Sequence, residues 1–393
     1  MRLEVAAVQL DIRQFRHGAS LRAGYRSRRR PAQTGVSRIS PPLPAPPDAS
    51  RAGRVIGPPR RSSQDCVGSM SRRHVRGQGE CAMTLKIRKI AILGATGPTG
   101  RALESELRRR GRSVRVVSRR MENLKAAFPG GDSERYTADA LDPDSLMAAI
   151  DGCDCVVDCI GLPAGQMADH PTTARNIAAA IDGTGTRCLQ VSSYWSYIPI
   201  DMLPVSEQHP RTGGPPWACL RREAEDILRD AGAAIVHLPD FFGPNVHTST
   251  VHLALRDALD RKPMNWIGSA EVERDYIYVP DAMRVVADLL EREQAYGDDW
   301  IVPGSGPVSG HEIAAILSGI LGRNITARSA GALLLRAVSL FNRDLRDFMQ
   351  LVPTYSRSIR YDGSKLEALL GPTPRTTYED GLIETVRAVV VPA

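Results

Sequence analysis

Long apolar runs are missing from this 393-residue chain. The longest candidate, Ala330 to Phe341, is broken by Arg336, so no membrane span is expected. Metal-ligand spacing is missing as well. The seven cysteines, at positions 66, 81, 153, 155, 159, 188 and 219, contain no CxxC pair and no His–Cys ligand pattern. Cys153, Cys155 and Cys159 lie in or beside an apolar run, where a thiol packs as a small hydrophobe. No metal site is therefore expected, and the odd count suits a reducing, cytoplasmic compartment. Lysine is absent from the first 82 residues, which carry sixteen arginines and only five acids. Of the chain's 51 basic and 44 acidic residues, thirty-five and thirty-nine then remain for residues 83–393. The formal charge of +7 thus belongs to the N-terminal segment, and nucleic-acid binding by the main body loses its electrostatic basis.

Residues 1–82 lack what a core needs. Arg28-Arg29-Arg30-Pro31 and the proline run from Pro41 to Pro47 show neither helical nor strand periodicity. Such a segment cannot bury enough apolar area to offset its ordering entropy. It reads as a disordered extension or as sequence upstream of a true start at Met83, which would place a strand close to the N-terminus. Residues 83–393 read as one nucleotide-binding domain, with a substrate lobe contributed mainly by residues after about 240.

What is present begins with Lys86 to Arg101. Ile90 to Leu93 is a short apolar run suited to a strand buried on both faces. Gly94, Gly97 and Gly100 follow at spacing three, and a helical pattern starts at Ala102. Strand, glycine turn and helix start together make an anion site, because backbone N–H groups point outward and missing β-carbons admit a pyrophosphate. Further strands are expected at Ser113–Ser118, Glu134–Thr137, Cys155–Ile160, Cys188–Ser192 and Ala233–Leu238, with helices such as Asp144–Ile150 and Arg222–Arg229 between them. Alternating strands and helices predict an α/β fold, a doubly wound parallel sheet of the Rossmann type with a small C-terminal substrate lobe.

These residues resemble a known family, the extended short-chain dehydrogenases/reductases, often called NAD(P)-dependent epimerases/dehydratases. Gly94-Ala95-Thr96-Gly97-Pro98-Thr99-Gly100 is similar to its GxxGxxG turn. Arg274 to Asp281 resembles the R-D-[FY]-[IV]-[HY]-V-x-D segment, and Ser364 to Pro374 the S-K-x-x-x-x-L-G-x-x-P ending. The resemblance implies that Gly94, Thr96, Gly97, Pro98, Thr99 and Gly100 hold the cofactor, with Asp139 near its adenine and Ile160, Gly161 and Pro239 close by. Where an NAD enzyme often carries a carboxylate, this chain reads Ser118-Arg119-Arg120, which favours a 2′-phosphate and hence NADP over NAD.

The family's chemistry usually comes from Ser/Thr, Tyr and Lys, the last two as Y-x-x-x-K. Ser193 matches the first. In the register set by Glu225, Trp217 and Arg221 stand in place of the other two. Tyr194, next to Ser193, is the expected substitute for proton transfer, and Arg221 is expected to bind the ribose and stabilise negative charge. Trp217, Asp240 and Arg274 are expected on the substrate side. The resemblance implies an NADP-binding oxidoreductase or epimerase acting on an unidentified small carbonyl or hydroxyl compound. The altered pair leaves a non-catalytic NADP-responsive protein as the alternative. A homodimer is compatible with either.

Overall fold

The computed structural model describes residues 84–162, 164–330, 349 and 351–390. The expected N-terminal extension lies outside the described residues, as does most of the apolar segment from Ala330 to Phe341.

Six strands open the fold in order: β1 (Lys89–Leu93), β2 (Ser113–Ser118), β3 (Glu134–Thr137), β4 (Cys155–Asp158), β5 (Arg187–Ser193) and β6 (Ala234–Leu238). Five helices are interleaved with them: α1 (Pro98–Arg109), α2 (Met121–Ala127), α3 (Pro143–Ile150), α4 (His170–Ile181) and α5 (Pro216–Asp230). The later half adds β7 (Asp240–Phe242), α6 (Thr250–Leu259), β8 (Met264–Ile267), β9 (Arg274–Tyr278) and α7 (Val279–Leu289). It continues with β10 (Asp299–Ile301), β11 (Pro307–Val308), α8 (Gly310–Leu321) and β12 (Ala327–Ala330). The main sheet runs β10–β6–β5–β4–β1–β2–β3, and every pairing in it is parallel. The fold is the expected doubly wound sheet. Its last strand, β10, is supplied from beyond residue 290, so the later half completes the sheet as well as building beside it.

The period-two alternation of the strands separates two apolar layers. Ile90, Ile92, Val116 and Val157 face Leu103, Leu107 and Met283 of α1 and α7. Ala91, Leu93, Val117 and Val156 face Leu146, Ile177 and Leu228 of α3, α4 and α5. Strand order reverses between β1 and β4, and such switch points open a crevice at the carboxyl ends of the strands.

Two boundaries differ from the sequence reading in ways that matter for the site. Helix α1 begins at Pro98, not Ala102, because proline is pre-organised for a first helical position whose N–H would be unpaired anyway. Helix α5 begins at Pro216, six residues before Arg222, for the same reason, and so carries both Trp217 and Arg221. Beyond the main sheet, β11–β9–β7 and the β12–β8 pair enclose a separate cluster around Phe242, Trp266, Tyr276 and Leu382.

Candidate functional site

A groove of about 490 Å³ lies over the switch point. Its floor is the β1–α1 turn. Gly94 adopts φ +69°, a left-handed conformation, and a β-carbon there would stand 2.8 Å from the Cys159 carbonyl oxygen. A β-carbon on Gly100 would stand 2.6 Å from the Ala95 Cα, so this glycine lets helix and strand touch. Gly97 and Gly161 differ: both line the groove, and neither would bring a β-carbon within 3.4 Å of a neighbour. They leave room for a ligand. No side chain caps the start of α1, whose first-turn N–H groups and dipole favour an anion there.

Thr96, Pro98, Thr99, Ile160 and Asp139 also line the groove, and Arg119 stands exposed at its rim. Asp139 accepts the Leu141 N–H at 3.0 Å, so it also orders its own loop. Arg120 is exposed at the start of α2 and does not line the groove; Pro239 is buried between β6 and β7. The floor therefore suits a dinucleotide: an open glycine cradle, a helix start and a cation at one end.

Ser193 and Arg221 both line the groove. Ser193 Oγ accepts the Trp195 N–H at 3.3 Å, capping the short 3₁₀ turn Tyr194–Tyr197. The Arg221 guanidinium lies 6.0 Å from the Trp195 ring centre, and its Nη1 donates to Ser192 Oγ at 3.4 Å. Burial lowers the Arg221 pKa, opposed by the Glu225 and Asp158 carboxylates. Asp158, at the end of β4, accepts Ile160 N–H at 3.0 Å and Gln190 Nε2 at 3.1 Å; burial pushes its carboxyl up despite both bonds. His170, buried at the start of α4, is pushed down to about 3 by burial and by the Arg221 charge.

Tyr194 does not reach this end of the groove. It lies past the end of β5, in the 3₁₀ turn, and does not line the groove. Its hydroxyl donates to Asp240 Oδ2 at 3.1 Å and accepts from Arg274 Nη2 at 3.0 Å. Burial, then the Asp240 charge, raise its pKa further above the usual phenol value.

Asp240, partly buried, and Arg274, only 2% exposed, form an ion pair at 3.2 Å. Arg274 Nη1 donates to the Thr354 carbonyl at 2.6 Å and the Arg357 carbonyl at 3.2 Å, and Tyr355 donates to Asp240 Oδ1 at 3.2 Å. Burial alone would lower the Arg274 pKa, but Tyr194, Tyr276 and Asp240 outweigh it and hold the guanidinium above its usual value. Trp217 packs edge-on against Trp195 at 5.5 Å between ring centres. The structure thus joins Asp240, Arg274 and Tyr194 in one cluster and keeps that cluster apart from the groove lining.

Sequence reasoning passed over Ser192 and used Glu225 only to set the register. Ser192 lines the groove and donates to Glu225 Oε1. The signal was readable: Glu225 follows Arg221 by four residues, which puts both on one face of α5. Among the described residues no group of three His, Cys, Asp or Glu could hold a metal ion, and no helix is long and apolar enough to cross a membrane.

Comparison with known proteins defines the class. Residues 90–302 match the NAD dependent epimerase/dehydratase family. The chain belongs to that family. A dTDP-glucose 4,6-dehydratase from Neisseria meningitidis is 21% identical over 77% of this chain and 93% of its own. An uncharacterized UDP-glucose epimerase from Bacillus subtilis is 21% identical over 76% and 96%. Among solved structures, an epimerase from Methanothermobacter thermautotrophicus has a TM-score of 0.66 at 16% identity, covering 78% of this chain and 93% of its own. The UDP-glucuronic acid 4-epimerase of Bacillus cereus, solved in complex with NAD, has a TM-score of 0.62 at 17% identity over 76% and 96%.

Proposed function

We propose that this protein binds NADP in the groove and acts as an oxidoreductase or epimerase on a small carbonyl or hydroxyl compound. The observation that carries this is the groove itself, with glycine-lined backbone at one end and Ser193 with Arg221 at the other. The NAD complex of the Bacillus cereus epimerase supports a nicotinamide dinucleotide. Arg119 at the rim supports the 2′-phosphate form, since a guanidinium binds phosphate in two-pronged fashion. When bound, such a cofactor supplies or removes a hydride. Gly94, Gly97 and the start of α1 would hold its pyrophosphate, Asp139 would lie by the adenine, and Arg221 would hold the ribose and offset negative charge on a substrate oxygen. Ser193 would hydrogen-bond that oxygen.

The relatives are named for sugar nucleotides. In this chain both terminal nitrogens of Arg274 are engaged by Asp240, Tyr194 and backbone carbonyls, which supports a substrate that does not rely on it for phosphate binding. A second reading, a non-catalytic NADP-responsive protein, is favoured by the placing of Tyr194 away from the groove. Fluorescence titration with NADPH and NADH, followed by an absorbance assay against a carbonyl panel, tests both. Tight NADPH binding with turnover supports the enzyme. Binding without turnover supports the second reading, and no binding of either nucleotide overturns both.

A further inference from the structure

With Trp217 at the tyrosine position and Tyr194 turned away, the groove needs another route for a proton. Ser192 provides one. A hydroxyl has one donor and two acceptor positions. The Ser192 O–H donates to Glu225 Oε1, and one of its lone pairs accepts Arg221 Nη1 at 3.4 Å. The other lone pair is left, on a residue that lines the groove. Glu225 is fully buried, and every group that bonds it is a donor: Ser192 and Ser196 on Oε1, Arg211 on Oε2. In each of these contacts a Glu225 oxygen is the acceptor. Behind it His237 Nδ1 stands 4.0 Å from Oε1, with its Nε2 2.8 Å from Asp299.

We infer that Ser192, backed by Glu225, is the proton relay of this site and takes the place of the missing tyrosine. This rests on the dinucleotide reading of the groove. As a substrate alcohol is oxidised, its O–H bond breaks and the proton passes to Ser192 Oγ. In the same motion the Ser192 O–H bond breaks toward Glu225 Oε1. Ser192 ends as it began, Glu225 becomes a carboxylic acid, and the electron pair of the broken O–H bond forms the second carbon–oxygen bond as the hydride on that carbon would leave to the nicotinamide of a bound dinucleotide. Arg221, donating to Ser192 Oγ, holds the serine oxygen in place and stabilises the charge. In reduction the same transfers run backwards from a protonated Glu225, whose proton is exchanged between turnovers by way of His237, 4.0 Å away, toward the partly exposed Asp299.

The test uses the full chain, NADPH and p-nitrobenzaldehyde as the probe carbonyl. Ser192→Ala should lower kcat by about 10²–10⁴-fold, the usual worth of a positioned acid–base group, with NADPH affinity unchanged by fluorescence titration. Ser192→Thr, which keeps a hydroxyl, should restore most of the rate. A solvent deuterium isotope effect on kcat is expected in the wild type, and a different one in the alanine variant. Glu225→Gln should lower kcat comparably; should that variant fail to fold because Arg211 loses its charge partner, the Ser192 pair decides alone. Wild-type turnover in Ser192→Ala overturns the relay. So does a loss of NADPH affinity that parallels the loss of rate, or a wild type that binds NADPH and reduces no probe. A wild type that binds no NADPH fails the dinucleotide reading itself, and the relay falls with it.

Discussion

The two ends of the region around the groove are made of different material. The groove end is backbone: a left-handed Gly94, a helix start and the carboxyl ends of adjacent strands, nearly all within Leu93 to Gly100 and Ile160 to Gly161. The cluster end is side chain: Tyr194, Asp240, Arg274 and Tyr355, drawn from segments as much as 161 residues apart in sequence and locked by their own hydrogen bonds. Backbone geometry set by glycine changes little when neighbours change. A side-chain cluster can be rewired by one or two substitutions. That difference explains how a chain can keep its glycine turn while the side chains around it change.

The comparison breaks most readily at Arg274. If the cluster holds the later lobe together, Arg274→Ala leaves the partly buried Asp240 without its charge partner and the Thr354 and Arg357 carbonyls without a donor, at a cost of about 3 kcal/mol. A large drop in melting temperature is expected, with NADPH affinity retained in the folded fraction because Arg274 does not line the groove. Unchanged melting with weakened substrate binding would instead put Arg274 among the substrate ligands.

Gly100→Val probes the other end. The added side chain meets the Ala95 backbone, which has no flexible tip to move aside, and such overpacking costs about 1–3 kcal/mol. Here stability and NADPH affinity should fall together, since α1 must shift from β1 and carry the cradle with it. Thermal melting with and without NADPH reads both quantities.

Arg119→Asp sharpens the comparison without touching the fold, because Arg119 is exposed at the rim. Losing a charged hydrogen bond to a 2′-phosphate costs about 1.5–3 kcal/mol, so NADPH should bind on the order of ten- to a hundredfold more weakly while NADH changes little. Equal affinity for both nucleotides in the unmodified protein removes the basis for NADP over NAD.

The same contrast decides how much could be read from the residues alone. The apolar run Ile90–Leu93 and its glycines were legible because turn and strand are set by neighbours in sequence; β2 and β3 begin and end where their patterns do. Helix α1 was read as starting four residues late because glycine and proline usually argue against helix, and here Pro98 opens it while Gly100 allows close packing. That Ser193 and Arg221 line one groove was legible through register. The placing of Tyr194 was not, since whether a residue after a strand faces the groove depends on the 3₁₀ turn at Tyr194–Tyr197 and on Asp240 forty-six residues away. Ser192 was passed over for a related reason: its chemistry comes from a carboxylate on α5 thirty-three residues later.

The smallest effect expected is that of Tyr194→Phe, and it discriminates most sharply between the two ends. The ring stays, so its packing against Tyr361 at 5.8 Å is kept and no cavity forms. The lost hydroxyl removes one donor from Asp240 and one acceptor from Arg274. Asp240 still has Tyr355 and Arg274, and Arg274 still has Asp240 and the carbonyls of Thr354 and Arg357. With both charges still paired, the cost should be that of an ordinary hydrogen bond, about 1 kcal/mol, and show as a fall of a few degrees in melting temperature. Because the hydroxyl sits in the side-chain cluster, NADPH affinity and kcat with a probe carbonyl should both be unchanged. A collapse of kcat at constant NADPH affinity would return the proton-transfer role to Tyr194, and would mean that the cluster opens toward the groove during turnover.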